Sequence, residues 1–527
     1  MQPGALRSLE FDRIVDAVRT CALTPMGDER LAGLAPATER DAVARLLAAT
    51  TETVTYLAAN AMFPLQATSD LPNILAALNV EGRPLEPLRL LLLASFLDSV
   101  DESKTAIRRA PGAFPLLEAA MGGAAAFKTE SADVRGKIDP AGEVADHASP
   151  ALRQIRDRLR RQKTRLRGTL ESYLRGKDTS KYLQDQVVTE RNGRYVIVVK
   201  AEHRASIPGI VHGSSASGAS LYLEPLSTVD INNDIVAAEE QEKEEVYRIL
   251  LALTDAFRAR AGDLQRTVAA ATELDVLQAR ARFSEIVDGV EPVLSTDGTV
   301  DLKQARHPLL MARVVSRIDE HATTPASGPV PVSIRILPPS TVLLVTGPNT
   351  GGKTVALKTA GLLALMAQSG LRIPVAAGSK LPVFRSLFAD IGDEQSISES
   401  LSTFSGHIAN IAQMDRQLET PALVLLDEVG SGTDPVEGGA LGVAVIDHLK
   451  RRGALVMATS HYDALKTYAS TTEGVTSAAF GFNVESYAPT YQLIYGSPGR
   501  SLALEIAARL GLNPSVIAAA RRNLSVR

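Results

Sequence analysis

The chain has 527 residues, 45% of them hydrophobic, a formal net charge of −4 and a single cysteine. This length predicts more than one globular domain, and the charge excludes a globally basic protein, so nucleic-acid binding requires a local basic patch. One cysteine excludes an internal disulfide framework, and the sequence offers neither a signal peptide nor an apolar run long enough to span a bilayer. We therefore expect a cytoplasmic protein without membrane contact.

The first part of the chain has a helical pattern. Apolar residues recur at helical spacing from Ser8 to about Phe127, with proline or glycine between the runs. This pattern predicts a helical core domain over residues 1–149 that carries no visible chemistry.

An arginine-rich helix is predicted over residues 150–178. Its basic side chains either face phosphates or pair with the acidic run from Glu239 to Glu245, and the sequence leaves both alternatives open. A second long helix is predicted over residues 233–290, because Asn233 to Asp288 contains one glycine and no proline; it could extend about 80 Å.

Strand signals appear between these two helices, over residues 179–232. Asn192-Gly193 is typical of a type I′ hairpin turn, and apolar runs flank it on both sides. We expect a small β clamp at the tip of an antiparallel helical lever. Its residues Arg191, Arg194 and Lys200 either grip phosphates without reading bases or belong to a solvated hairpin.

Residues 291–527 have an α/β pattern. The predicted strands Thr341 to Thr346, Leu423 to Leu426 and Leu455 to Thr459 alternate with helical runs. This order predicts a mostly parallel sheet with a ligand at the carboxyl ends of its strands. The fold class expected for the whole chain is multi-domain α and α/β.

A P-loop follows the first of these strands and opens a helix. Its glycines let backbone N–H groups surround a phosphate, Lys353 reaches the terminal phosphates, and the Thr354 hydroxyl can ligate Mg²⁺. This pattern predicts a nucleoside triphosphate site. The nucleotide-binding residues are Gly347, Pro348, Asn349, Thr350, Gly351, Gly352, Lys353 and Thr354.

A second motif lies about 75 residues further on, where an apolar strand ends in Asp427-Glu428. It resembles a Walker B motif, in which Asp427 holds Mg²⁺ through water and Glu428 orients or deprotonates the attacking water. His461 ends a later strand, where it either senses the γ-phosphate or is structural. The hydroxyls around Ser402 either cap a helix or form an anion site there.

These motifs together resemble the MutS branch of the ABC-type ATPases, and within it the second bacterial subfamily, MutS-two. The motifs are Gly-Pro-Asn-Thr-Gly-Gly-Lys-Thr, Ser-Thr-Phe, Leu-Leu-Asp-Glu-Val-Gly-Ser-Gly-Thr-Asp-Pro and Thr-Ser-His-Tyr, in this order. The resemblance extends upstream through Asn192-Gly193-Arg194 and Arg306-His307-Pro308, and downstream through Gly496 to Ser501.

The resemblance implies an ATP- and Mg²⁺-dependent ATPase that works as a homodimer. In such a dimer Ser402 and Thr403 of one protomer face the γ-phosphate held by Lys353 of the other, and residues Gly430 to Asp434 line the interface. Asn349 contacts the phosphates. The implied target is branched or duplex DNA, with suppression of homologous recombination, or a collided ribosome and its rRNA, which similar proteins split into subunits.

Three departures from related proteins limit what the resemblance implies. The only Phe-x-Glu triplet, Phe283-Ser284-Glu285, lies in a predicted long helix and fits core packing, so mismatch recognition is not expected. The coiled coil and the small MutS-related nuclease domain of typical members are absent from this sequence. The aromatic residue that many relatives stack on adenine is missing between His321 and Leu337. The alternative of another ABC-type machine's nucleotide-binding subunit lacks the Leu-Ser-Gly-Gly-Gln signature.

Overall fold

The computed structural model describes residues 2–177, 179–319, 321, 328–347, 352–392, 400–482, 489–496, 504, 507–508 and 511–524, with the backbone alone for residues 400–403 and 524. The chain divides into two compact units. Unit 1 comprises Met1–Pro64, Ser103–Gly123 and Ala269–Arg527, and unit 2 comprises Leu65–Glu102 and Ala124–Val268.

Helices dominate the first half of the chain and flank the strands of the second. The α-helices are α1 Pro3–Ser8, α2 Phe11–Arg19, α3 Pro25–Ala32, α4 Arg40–Ala59, α5 Leu71–Leu78, α6 Pro87–Arg109, α7 Pro115–Ala120, α8 Lys128–Lys137, α9 Pro150–Arg175, α10 Leu226–Arg258, α11 Ala261–Ile286, α12 Ala312–Ile318, α13 Lys353–Gln368, α14 Ser400–Gln417, α15 Pro435–Arg451, α16 Asp463–Thr471 and α17 Pro514–Leu524. None of the described helices is long and apolar enough to cross a membrane.

The strands form three sheets. They are β1 Leu183–Arg191, β2 Arg194–Lys200, β3 Gly209–Ser214, β4 Ser220–Pro225, β5 Val293–Leu294, β6 Val300–Ala305, β7 Val332–Ile336, β8 Val342–Thr346, β9 Lys380–Leu381, β10 Ser386–Asp390, β11 Ala422–Leu426, β12 Ala454–Ser460, β13 Val475–Phe482 and β14 Pro489–Tyr495. The sheet orders are β1-β2-β4-β3, β5-β9-β6-β7 and β10-β11-β12-β8-β13-β14.

The six-stranded sheet is the centre of unit 1. Strands β10, β11, β12, β8 and β13 pair in parallel, and β14 adds an antiparallel edge. Successive residues of a strand face opposite sides, and here both sides are buried. Leu343 and Val345 pack in a cluster with residues of α1, α2 and α13, whereas Val342 and Leu344 pack in a second cluster with α14, α15 and α16. The mostly parallel α/β sheet expected from the sequence is confirmed.

Helix α13 is a core helix. Nearly all of its side chains are buried, including the run from Thr359 to Gln368, as expected of a helix that is apolar on every side. It begins directly after Gly352, whose φ of +91° is in the left-handed region that glycine tolerates. The sequence therefore places a fixed helix N-terminus behind the end of β8.

The C-terminal part of α11 and its neighbours are joined by buried polar contacts as well as apolar ones. In unit 1 the Asp275 carboxylate accepts hydrogen bonds from the backbone of Leu23 and from the backbone and hydroxyl of Thr24. Phe283 on the same helix has 0% exposure. The interpretation of Phe283 as a core residue is confirmed.

Unit 2 contains the antiparallel sheet of the predicted clamp. Asn192 and Gly193 have φ values of +49° and +71°, as a type I′ turn requires, and they join β1 to β2 in antiparallel register. The predicted hairpin is confirmed. One apolar cluster unites the sheet with both long helices, through residues such as Leu166 of α9, Ile197 of β2 and Ile235 of α10.

The second long helix differs from the prediction. Instead of one helix from Asn233 to Asp288, α10 begins at Leu226 and ends at Arg258, and α11 begins at Ala261. Within unit 2, side chains at the break are tied to other segments: Arg258 donates to the carbonyl of Leu78, and Arg260 donates to Glu130. Gly262, a weak helix former, lies beside the break.

One of the two alternatives for the arginine-rich helix, pairing with acidic residues, is partly realised, and contact with phosphates stays a prediction. Three bases of α9 pair with α10, at 2.7 Å for Arg156 to Glu242, 3.1 Å for Arg158 to Asp234 and 2.7 Å for Lys163 to Glu239. Three others, Arg153, Arg161 and Arg165, are exposed and have no ion pair with any residue in the described part of the chain. One side of α9 thus binds acid, and another leaves charge open to solvent.

Candidate nucleotide-binding site

The turn from β8 to α13 carries the predicted P-loop. Gly347 has a φ of +122° and Gly352 one of +91°, so both use conformations that favour glycine. Lys353 is 2% exposed, and its Nζ donates to the carbonyl oxygen of Gly347 at 2.8 Å. Residues 348 to 351, which include the predicted Pro348, Asn349, Thr350 and Gly351, lie outside the described residues. The ammonium group is therefore held inside the turn, at the N-terminus of α13.

The two predicted metal ligands meet at this turn. The hydroxyl of Thr354 donates to Oδ2 of Asp427 at 2.6 Å, although Asp427 follows β11, two strands away from β8. A hydroxyl and a carboxylate are oxygen ligands that Mg²⁺ accepts, and Mg²⁺ bound to nucleotides normally keeps waters and phosphate oxygens as its other ligands. Among the described residues, no group of three or more His, Cys, Asp or Glu side chains is arranged so that it could hold a metal ion by itself.

Thr459 joins the two acidic residues, a role that no sequence pattern indicates beyond its place at a strand end. On β12, its hydroxyl donates to Oδ1 of Asp427 at 2.5 Å and accepts from the backbone N–H of Glu428 at 2.7 Å. Glu428 itself has a φ of +48°. A left-handed glutamate is uncommon, and such strain is concentrated at functional sites. Thr459 therefore fixes the carboxylate of Asp427 and the backbone of Glu428 together.

His461 and Tyr462 follow the end of β12. His461 is exposed, and its ring centroid lies 4.4 Å from that of Tyr462. Burial raises the pKa of the Tyr462 hydroxyl, and the carboxylates of Glu428 and Asp434 raise it further. The same hydroxyl donates to the carbonyl of Gly430 at 3.2 Å. His461 thus lies on the sheet edge that carries Glu428.

The hydroxyl segment forms the first turn of α14. The side chains of Ser402 and Thr403 lie outside the described residues, so their predicted roles stay predictions. Further along α14, His407 and Asn410 both contact Asp390, at 2.6 Å and 3.0 Å. This hydrogen bond to Asp390 raises the pKa of His407 despite burial, and the nearby Asp427 carboxylate adds to the effect. The pair His407 and Asp390, which sequence reasoning missed, anchors α14 beside the strand end that carries Asp427.

The segment between β11 and α15 is closely packed. A Cβ on Gly430, whose φ is +84°, would lie 2.1 Å from the carbonyl oxygen of Gly438. The side chain of Asp434 caps α15 by accepting from two backbone N–H groups. Val436, in the first turn of that helix, is 79% exposed. The exposed apolar side chain of Val436 therefore lies beside a closely packed loop.

A cavity of about 330 Å³ adjoins the first turns of α13. Its walls include Val355, Phe480 and Tyr491, and the Tyr491 ring comes within 3.3 Å of the point where a Cβ on Gly352 would stand. Strands β13 and β14 thus supply two aromatic side chains to this cavity, whereas the sequence has none between His321 and Leu337. A pattern within one segment does not predict this arrangement, because the cavity combines residues from distant parts of the chain.

His307 forms part of the wall of this cavity. It is 7% exposed, burial lowers its pKa to about 4, and its Nδ1 has no hydrogen-bond partner among the described residues. The imidazole is therefore neutral near pH 7, with one donor and one acceptor nitrogen.

The three predicted clamp cations differ in their surroundings within unit 2. Arg194 donates to Glu224 at 2.7 Å, and the Glu224 side chain is 0% exposed. Arg191 is exposed, lies over the ring of Tyr222 at 4.3 Å and donates to its hydroxyl. Lys200 is half-buried at the end of β2. Arg194 is thus paired with a carboxylate inside the clamp, whereas the exposed Arg191 has no ion pair among the described residues.

Known proteins are similar to this chain over its full length. The MutS domain V family profile matches residues 343–526. Endonuclease MutS2 of Symbiobacterium thermophilum is 42% identical over 526 residues, which is 100% of this chain and 64% of that protein. Endonuclease MutS2 of Pelotomaculum thermopropionicum is 41% identical over 527 residues, again 100% of this chain and 65% of that protein. A putative endonuclease MutS2 of Bacillus subtilis is 40% identical over 528 residues, with the same two shares.

The chain thus spans slightly less than two thirds of the length of these curated relatives. The similarity covers both compact units, and the profile match includes the turn after β8, Asp427 and Thr459. The chain carries domain V of the MutS family over residues 343–526 and is similar over its full length to proteins of the MutS2 branch.

Proposed function

We propose that this chain hydrolyses Mg²⁺-bound ATP at the β8–α13 turn. The observation that carries the proposal is the contact of Thr354 with Asp427, whose other oxygen is held by Thr459. In this proposal Thr354 and Asp427 hold Mg²⁺, which neutralises charge on the phosphates. Lys353 exchanges the carbonyl of Gly347 for phosphate oxygens, and Glu428 orients the attacking water. His461, on the same edge, is the candidate sensor of the γ-phosphate.

The cavity beside α13 is proposed as the place of the nucleobase. It adjoins the helix whose N-terminus faces the phosphates, and Phe480 and Tyr491 offer aromatic faces on which a base can stack. The sequence has no aromatic residue between His321 and Leu337 for this purpose, and these two rings are proposed in its place.

Homodimerisation is proposed as the active state. Ser402 and Thr403 begin α14, whose His407 and Asn410 are tied to Asp390, so the segment has a fixed support from which hydroxyls can reach a partner's nucleotide. The loop from Gly430 to Asp434 and the exposed Val436 suit an interface, because large exposed apolar side chains commonly mark contact surfaces.

The proposed target is a large nucleic-acid-containing structure, gripped by the clamp of β1 to β4 and driven by ATP. Two targets fit: branched DNA, with suppression of homologous recombination, or a stalled or collided ribosome that is split into subunits. Exposed Arg153, Arg161 and Arg165 of α9 and Arg191 of the clamp support phosphate contact in either case. The endonuclease in the relatives' names is a property of those longer proteins.

Two variants test the ATPase proposal. Lys353→Ala should lose ATP binding in calorimetry, because the site loses its phosphate countercharge. Glu428→Ala should keep ATP binding and lower kcat by about 10²- to 10⁴-fold. Unchanged binding in the first variant, or near wild-type turnover in the second, would reject the assigned roles.

One sedimentation experiment separates the two targets. The wild-type chain is incubated with a non-hydrolysable ATP analogue, branched DNA and stalled polysomes together, and Lys353→Ala serves as the matched control. Co-migration with only one target, lost in the control, identifies that target. Sedimentation of the chain alone in the presence of both would contradict the clamp proposal.

A further inference from the structure

Unit 1 contains a mostly buried charged side chain that has no ion pair among the described residues. Arg280 on α11 is 8% exposed. Its Nε is fully buried without a hydrogen-bond partner, and no hydrogen bond or ion pair to its guanidinium exists among the residues that the structure describes. An arginine side chain stays protonated in proteins. Burying an unpaired cation raises the free energy of the folded state, so we expect an arginine in this position to have a partner.

The guanidinium lines a cleft of about 630 Å³, within the range of small-molecule sites. The walls are residues of α3 and the turn after it, Leu46 of α4, and one side of α11 from Thr272 to Arg280. Gly370, just after α13, lets the backbone pass close to the guanidinium: a Cβ there would lie 2.7 Å from Cβ of Leu46 and 3.4 Å from Nη1 of Arg280. The fold thus leaves room around the cation.

The charges already present do not neutralise it. Burial is the largest influence on Arg280 and lowers its pKa, Glu273 partly opposes this, and Arg30 adds to it. Glu273 lies seven residues, or about two turns, earlier on the same helix, and it forms no ion pair with Arg280 among the described residues. Glu29 and Arg30 are exposed on the α3 side of the cleft. The α13 carbonyls nearest Gly370 already accept backbone hydrogen bonds, so they offer the guanidinium only the weak dipole of a helix C-terminus.

We propose that this cleft binds a small oxyanion through Arg280. The planar guanidinium fork matches a carboxylate or a phosphate with two parallel hydrogen bonds. Arg30 adds a second positive charge at the rim, and the Thr272 hydroxyl lies on the same wall. None of these residues belongs to the nucleotide site, so the proposal is independent of the ATPase assignment.

The test is calorimetric unfolding of the whole chain without nucleotide. Sodium sulfate represents a phosphate-like anion and sodium acetate a carboxylate, each compared with sodium chloride at equal ionic strength. The wild-type Tm should rise saturably in at least one of them beyond the chloride value. Arg280→Met should lose this rise while its Tm in chloride is not below that of the wild type, because an apolar side chain of similar length removes the buried charge.

Arg372→Met is the matched control, since the Nε of Arg372 is also buried without a partner but does not line the cleft. This variant should keep the anion-dependent rise. If Arg280→Met fails to fold, Arg280→Gln replaces it with the same expectation. The proposal is overturned if the wild type shows no rise in either anion, or if the rise persists without the Arg280 guanidinium. The anion that gives the larger rise identifies the chemistry of the ligand.

Discussion

At the residue scale, Thr459 is the side chain on which the arrangement of both acidic groups depends. Thr459→Val keeps the shape but removes the hydrogen bonds to Asp427 and to the backbone of Glu428. Because residues that orient a metal ligand commonly contribute 10- to 100-fold to metal affinity, the half-saturating Mg²⁺ concentration for ATP hydrolysis should rise by about that factor.

Magnesium titration of ATPase activity checks this, with Thr459→Ser as the control that retains the hydroxyl. The serine variant should stay near the wild type. A valine variant with reduced turnover at an unchanged Mg²⁺ requirement would show that Thr459 does not act through the metal ligand.

His307 makes a prediction about pH. Its folded-state pKa is lowered from 6.5 to about 4, so the unfolded chain binds the proton more readily. The stability contributed by neutral His307 is complete above pH 6.5 and is lost as the pH falls towards 4, by about 3 kcal/mol at 1.36 kcal/mol per unit. Denaturant unfolding of wild type and His307→Asn over this range should give a shallower acid-side loss for the variant. Parallel curves would contradict the assignment.

Individual residues could be predicted where one short segment holds the whole pattern. Lys353, Thr354 and Asp427 were predicted as one site, and the structure brings them together, because glycine turns and strand ends are local signals. The contacts of Thr459, and the cavity that joins His307 to Tyr491, could not be predicted. They depend on which strands become neighbours, and that is a property of the tertiary fold.

At the element scale, the clamp gives a prediction about the salt dependence of binding. Arg194 is left out of it, because it pairs with the buried carboxylate of Glu224. Arg191 is exposed and Lys200 half-buried, so their joint replacement by Ala should lower the log–log salt slope of duplex binding by about 1.8, or 0.9 per lost phosphate contact. Sequence preference should not change, because phosphate contacts position rather than specify. Salt titrations with branched duplex and with ribosomes measure both. Identical slopes on both targets would reject a gripping role.

Arg194 is the control for this experiment. Its partner Glu224 is fully buried and also contacts His212 and Asn232, so Arg194→Ala leaves a buried carboxylate short of a cation. This change should destabilise unit 2 by about 3 to 5 kcal/mol. The sequence alone could not separate Arg194 from Arg191, because both are arginines at the ends of one hairpin turn.

Element boundaries were predictable where single residues with a special backbone preference mark them. The hairpin at Asn192-Gly193 and the start of α13 after Gly352 follow from backbone preferences of single residues. The break between α10 and α11 was not predictable. No proline marks it, and the contacts of Arg258 and Arg260 that accompany it join segments more than 100 residues apart in the chain.

At the scale of the whole molecule, the sequence predicted five consecutive segments, whereas the compact units are discontinuous. Unit 1 combines the N-terminal helices with the last part of the chain, because residues such as Leu9 and Ile14 share one apolar core with α13 and the parallel sheet. Hydrophobic periodicity predicts which face of a helix is buried, but not which distant element covers it.

The proposed homodimer leads to a prediction whose outcome requires a site shared between two protomers. Lys353→Ala and Ser402→Ala should each be inactive alone. If Ser402 acts on the partner's nucleotide, a mixed dimer contains one doubly defective site and one intact site, made from Lys353 of one variant and Ser402 of the other. Random reassortment of equal amounts should then restore about a quarter of wild-type ATPase activity, since half the dimers are mixed and each has one of two sites intact.

If Ser402 instead acts within its own protomer, both sites of the mixed dimer stay defective and mixing restores nothing. The measurement is steady-state ATP turnover after co-refolding or prolonged mixing at high protein concentration. As the control, one variant carries an affinity tag, and co-purification of the untagged variant with it shows that reassortment occurs. Activity that remains at the level of the separate variants, with reassortment demonstrated, would reject the composite site and leave the hydroxyls at the start of α14 as an ordinary helix cap.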